Sequence, residues 1–143
     1  MRRSVLLFAS SLAITSADAG EMAKQGEESS TIYFVMTSIE PYRTEWTGIR
    51  RTDNGDATFD KMGVLATDLD GHGDSVMIDA EGDQIFTAWE LGVSPYAGVF
   101  HYVRGTGKYL GISGEGTWTC IQLRAPGGNQ LAICPQKSGW KLR

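Results

Sequence analysis

Residues 105–118, GTGKYLGISGEGTW, place five glycines among aromatic and branched side chains, and few folds admit such a segment. Glycine takes positive φ or lets another backbone come close, so glycines spaced along a strand mark a turn, then bulges or bends where a sheet must curl. That is the pattern of a β-barrel. Two nucleotide-binding readings fail on spacing. A dinucleotide fingerprint needs G-x-G-x-x-G opening a helix, but Gly105 and Gly107 are followed by Gly111 and no helical pattern. A P-loop needs Ser or Thr after Gly-Lys and a glycine five residues before it. Here Tyr109 follows Gly107-Lys108, and Tyr102 occupies the earlier place.

From Thr31 onward, short β-branched and aromatic runs alternate with turn signals roughly every ten residues, and no comparably long helical period appears. The expected strands are 31–38, 45–51, 57–68, 75–80, 84–91, 98–104, 109–124 with a break near 114–116, 130–134, and a last piece at Trp140. Asp53-Asn54-Gly55, Asp70-Gly71-His72-Gly73, Glu81-Gly82-Asp83 and Pro126-Gly127-Gly128-Asn129 supply the turns. Neighbouring strands are therefore expected to be antiparallel. The fold class is all-β, a single antiparallel barrel of about eight strands, lipocalin-like in shape. Ile85, Thr87 and Trp89 share one face of their strand, while Phe86, Ala88 and Glu90 share the other. Both faces are partly apolar, so the outer one is expected to be covered by the terminal arm or by a second copy in a homo-oligomer.

The chain opens with Arg2 and Arg3, an apolar run from Val5 to Ile14, and Ala17-Asp18-Ala19. This is the layout of a secretory signal peptide over residues 1–19, too short in its apolar part to span a membrane. The expected destination is secreted or periplasmic, with no membrane attachment after cleavage. Residues 20–30, with Glu21, Glu27 and Glu28, read as a flexible arm before a barrel domain over 31–143. Cleavage would leave 11 basic against 16 acidic residues, a net charge of about −5 against −4 for the whole chain. Nucleic acid is not an expected partner.

Cys120 and Cys134 are the two cysteines. In a hairpin turning about Gly127, opposed residues sum to 254, which sets Cys120 against Cys134, Ile121 against Ile133, and Leu123 against Leu131. A structural disulfide is expected, since a redox pair would more typically be spaced C-x-x-C. Leu110 and Ile112 have the opposite parity to Ile121 and Leu123, and so a bulge or bend is expected at 114–116.

Few groups announce chemistry. Asp68 to Asp74, with Asp79 beyond, resembles part of an EF-hand loop, but strands flank it and an acidic hairpin turn explains it. His72 and His101 are the two histidines, without the spacing of a zinc site, and there is no G-x-S-x-G elbow. No metal, cofactor or catalytic residue is assigned. The candidate ligand-binding residues are Phe86, Trp89, Glu90, Phe100, His101 and Tyr102, where aromatic edges stand beside groups able to form directional hydrogen bonds.

The segments DAEGDQIFTAWE (79–90) and GTGKYLGISG (105–114) resemble bacterial members of the allene oxide cyclase-like and dirigent-like β-barrel group. The likeness lies in an aspartate-rich turn into a Trp-bearing strand, followed by a G-x-G-[KR]-aromatic-x-G turn. It implies an eight-stranded antiparallel barrel with an apolar cavity, often trimeric in plant members. Those proteins steer cyclisation or radical coupling of hydrophobic small molecules without a metal or organic cofactor. The residues that act in plant members lie outside the matching segments, so no catalytic role transfers. Three functions follow as expectations: binding of a small apolar or aromatic ligand, cofactor-free isomerisation or cyclisation of such a molecule, or a structural and interaction role.

Overall fold

The computed structural model describes residues 23–53 and 59–143. The expected signal peptide and the Asn54-Gly55 turn lie outside the described residues. Nine strands alternate with short connections: β1 (Gln25–Glu40), β2 (Arg43–Thr52), β3 (Met62–Asp68), β4 (His72–Ile78), β5 (Gln84–Leu91), β6 (Ala97–Gly105), β7 (Ser113–Thr119), β8 (Ile121–Arg124) and β9 (Gln130–Lys141). Each of β1 to β6 pairs antiparallel with the next, β7 pairs with β9, and β9 returns to β1. Eight strands thus close a barrel, and β8 extends the β7 side of the β9 ladder. Closure removes the free edges that an open sheet must otherwise protect.

The expected register is the observed one. Ile121 faces Ile133 and Leu123 faces Leu131, and β7 runs on the same sum, from Ser113 opposite Lys141 to Trp118 opposite Gln136. Cys120 and Cys134 are joined in a disulfide.

Three expectations need correction. Residues 25–30 are not an arm: they belong to β1 and pair with Lys141 back to Gln136. Their polarity is no sign of exposure here, because Glu28 and Ser30 are buried and Glu28 is paired with Arg50. The expected strand over 109–124 begins only at Ser113, after a 3-10 turn at Gly107–Tyr109. Its break falls at Cys120, with no register shift at 114–116. Leu110 is exposed and Ile112 is buried outside any strand, so their parity imposed no constraint. The last strand does not stop at Cys134 but continues through Pro135 to Lys141.

The two segments that carry the family resemblance meet at one end of the barrel. Asp79 Oδ1 accepts the backbone N–H groups of Glu81 and Asp83 at 2.9 and 3.0 Å. Its Oδ2 accepts the Tyr109 hydroxyl at 3.0 Å and pairs with Lys108 Nζ at 2.7 Å. Asp83 Oδ2 accepts the Lys108 N–H at 3.1 Å. Gly107, at φ 52°, brings its backbone against the Asp83 carboxylate where a side chain would collide. Burial alone would raise the Asp79 carboxyl, but the bonds from Lys108, Tyr109 and the Asp83 amide outweigh it and hold it below the usual range. Bonds to Asp79 and Glu81 raise the Lys108 ammonium in turn. The shared motif is a clasp between the β4–β5 turn and the β6–β7 connection.

Above the clasp the barrel is filled. Phe59 stacks on Tyr109 at 5.6 Å and meets Trp140 edge to face at 4.8 Å, beside buried Met62, Ile85 and Ile112. Arg50 enters this layer from β2, donates to the Phe59 carbonyl at 2.7 Å and pairs with Glu28 of β1. Burial lowers the Arg50 guanidinium below its ordinary value, only partly offset by the attraction of nearby Tyr102, Tyr109 and aspartates. Tyr102 and Ser138 share a hydrogen bond at 2.9 Å, and Ser138 donates to Glu28 Oε1 at 3.3 Å.

Candidate functional site: an aromatic chamber at the open end

The opposite end of the barrel is hollow. A cavity of about 140 Å³ opens there, between the barrel wall and the β5–β6 connection that contributes Pro95 and Tyr96. Six rings line it: Phe34, Trp46, Trp89, Tyr96, Phe100 and Trp118. Aliphatic and sulfur groups fill the wall between them, including Ile32, Met77 and both cysteines of the disulfide. The polar lining is sparse. Ser75 and Thr87 satisfy each other at 2.5 Å, Gln122 and Gln136 stand on the β8–β9 side, and Asp68 is the one charged lining residue among the described residues.

The sequence explains why rings this large leave space. Inward positions of a small barrel are normally filled by side chains. Here four of the lining rings stand directly across the sheet from an inward glycine: Phe34 from Gly48, Trp89 from Gly73, Phe100 from Gly116 and Trp118 from Gly98. A methyl group on Gly98 would lie 2.7 Å from Trp118 Cζ2, and one on Gly73 would lie 2.9 Å from the Trp89 ring. Each ring therefore rests on bare backbone, held back against the wall. Trp89 and Trp118 then meet edge to face at 5.9 Å and 89°, while Phe34 and Trp46 meet at 6.4 Å and 63°. Such pairs are favoured by the ring quadrupole, which fixes the corners of the chamber.

Of the residues singled out from sequence, Trp89 and Phe100 line the chamber. Tyr102 is buried one inward position below Phe100, with its ring edge to face at 5.6 Å and its hydroxyl in the Glu28 cluster. Burial raises its hydroxyl above the ordinary value, against the opposing pull of Arg50 and Ser138. Phe86, Glu90 and His101 do not join them. Strand alternation turns all three outward: Glu90 and His101 are exposed, and Phe86 lies beneath the Arg104 guanidinium, 3.5 Å from its ring centre. The register shifts between Phe86 and Thr87 opposite β6, so Phe86 faces Arg104, while the alternation that buries Phe100 and Tyr102 leaves His101 outside. Sequence reasoning missed Phe34, Trp46 and Trp118. The signal that finds Phe34 and Trp118 is an aromatic residue facing a glycine across a correctly registered hairpin; Trp46 faces Met36 and Ala66 and carries no such mark.

Among the described residues no group of three or more His, Cys, Asp or Glu side chains is gathered for a metal ion. The EF-hand-like segment forms the β3–β4 turn, where Asp68 Oδ1 accepts the Gly71 N–H at 2.9 Å and Asp70 and Gly71 take positive φ.

Fold and site together define a closed antiparallel barrel, packed and clasped at one end, with an aromatic chamber at the other. No family model matches the sequence, and no curated protein matches it. Among solved structures the chain is similar to the pterocarpan synthase dirigent protein GePTS1, with 11% identity and a TM-score of 0.43 over 85% of this chain and 88% of that one.

Proposed function

We propose that this protein binds a small hydrophobic or aromatic molecule in the chamber. The observation that carries the reading is the set of rings seated on inward glycines, which keeps about 140 Å³ open where side chains would otherwise meet. A dry apolar cavity of about 150 Å³ is large enough to take up benzene, so the occupant is on the scale of one ring. Export to an oxidising compartment fits the Cys120–Cys134 disulfide. Among the described residues no helix is long and apolar enough to cross a membrane.

The four tryptophans give the test. Trp46, Trp89 and Trp118 line the chamber, whereas Trp140 sits in the packed end. Titration with a panel of small apolar and aromatic compounds, followed by the four indole N–H signals in NMR, is expected to move the first three and leave Trp140 in place. Uniform small shifts, or none with any compound, would overturn the reading. Product analysis for each compound that binds separates a binding protein from a cofactor-free isomerase or cyclase.

A second reading rests on the outside of the barrel. Tyr33 stands between Ile49 and Ile133, and Ile133 faces Ile121. One row further, Val35 faces Leu131, which faces Leu123. Tyr33 and Ile49 are more than half exposed, at 52% and 57%. A contiguous apolar belt of this kind marks an interaction surface, and we assign it to a second copy of the chain. Sedimentation analysis is expected to give an oligomer that Ile49→Glu dissociates; a wild-type monomer at micromolar concentration would remove the assignment.

A further inference from the structure

We infer that the chamber selects a positively charged ligand, a molecule carrying a tertiary or quaternary ammonium group, over a neutral molecule of the same shape. The inference rests on the chamber being a binding site, and it concerns what the site prefers. Two features carry it. The first is how the rings are presented. Trp118 has both Cζ2 and Cε2 within 2.8 Å of the position a Gly98 methyl would take, so the ring lies over the backbone. Its Nε1 is bonded to that Cε2 and has no hydrogen-bond partner. That Nε1 is itself buried, so what Trp118 offers the chamber is ring carbon rather than its donor. Trp89, seated on Gly73 and perpendicular to Trp118, forms the adjoining wall, and the Phe34–Trp46 corner adds two more. The faces of aromatic rings are electron-rich and attract cations, tryptophan most strongly, and more so when water is excluded.

The second feature is charge. Among the described residues the lining contains no lysine, arginine or histidine, and its one carboxylate is Asp68. The bond from the Gly71 N–H holds that carboxylate at the β3–β4 turn. Arg50, the cation buried within the barrel, is committed to Glu28 at the packed end. A ligand cation entering the chamber thus meets aromatic rings and one carboxylate, while an anion meets no cationic side chain among the described lining residues, only neutral donors such as Gln122 and Gln136, to offset its lost hydration.

The test uses choline and 3,3-dimethylbutan-1-ol, which differ by a quaternary nitrogen in place of a quaternary carbon. Both are titrated against the disulfide-bonded protein by NMR, with the Trp46, Trp89 and Trp118 indole signals as reporters and Trp140 as the internal control. Choline is expected to bind about tenfold more tightly than the alcohol. Asp68→Asn keeps an oxygen for the Gly71 N–H and is expected to remove much of that advantage, read as the ratio of the two affinities; an unchanged ratio would take Asp68 out of the selection. Equal affinity, or tighter binding of the alcohol, overturns the inference and leaves the chamber a binding site for neutral molecules. If neither these two nor any compound of the wider panel moves the three signals, the binding reading falls and this inference falls with it.

Discussion

Gly98 and Trp118 face each other directly across the β6–β7 pair, and the indole occupies the space that any side chain at 98 would need. The same relationship joins Gly73 to Trp89, Gly116 to Phe100 and Gly48 to Phe34. At the packed end, Gly26 stands opposite Trp140. The glycines that look in the sequence like devices for bending a sheet act here largely as seats for aromatic rings. Ring size and cavity size are consequently coupled through residues that carry no side chain.

Gly98→Ala tests that coupling. Its methyl group would overlap the Glu90 carbonyl as well as the Trp118 ring, and forced overpacking of this kind costs about 1–3 kcal/mol. Gly139→Ala is the matched control, because nothing lies within 4 Å of the added carbon. Chemical denaturation is expected to show a clear loss for the first variant and little change or a slight gain for the second.

The Glu28–Arg50 pair supports a second prediction. Both side chains are almost fully buried, at 0% and 2% exposure, so removing one partner strands a charge. Glu28→Gln and Arg50→Met are each expected to cost about 3–5 kcal/mol, whereas the double variant is expected to lose much less than the sum. A double-mutant cycle by urea denaturation measures the coupling, and simple additivity would show that the two groups act independently.

Much of the architecture was legible in the chain because a hairpin leaves arithmetic behind. The pairing sum set by the turn about Gly127 holds from Arg124–Gln130 to Ser113–Lys141, and that sum alone sets the two cysteines opposite each other. What the pattern lacked was a sign. Alternation separates Trp89 from Glu90 without saying which of them faces the lumen, since the outer face of this barrel is itself apolar around Tyr33, Ile49 and Ile121. His101 was drawn into the candidate site by its aromatic neighbours, although Phe100 and Tyr102 are the buried pair. The N-terminal residues failed differently. Glu28 is buried because Arg50, 22 residues further on, neutralises it, and a local reading of polarity has no access to such a partner.

The clasp gives the protein a defined acid response. Asp79 sits below its ordinary pKa when folded, so the folded state binds fewer protons than the unfolded chain. Its contribution is present above the unfolded value near 4 and is lost as pH falls through the lowered folded value. Lys108 is shifted the opposite way; its contribution is complete below the unfolded value and is lost only as pH rises through the raised one. Stability measured from neutral pH down to about pH 2.5 is expected to fall less steeply in Asp79→Asn than in the wild type. Parallel curves would show that the carboxylate does not govern this window.

The disulfide joins stability to the chamber. Cys120 lies at the break between β7 and β8, its N–H donates to the Tyr96 carbonyl at 2.7 Å, and both cysteines line the cavity. Closing a loop of about 15 residues contributes on the order of 3 kcal/mol by restricting the unfolded chain. The double variant Cys120→Ala/Cys134→Ala is therefore expected to lose about that much stability in chemical denaturation. The effect should reach beyond the cross-link, because the bond ties the end of β7 to β9 beside Tyr96 at the mouth. Below its melting transition the variant is expected to keep the Trp140 indole signal of the wild type while the Trp118 signal broadens or moves. Unchanged signals from all four tryptophans, with the stability lost, would confine the disulfide to the unfolded-state effect and remove it from the construction of the chamber.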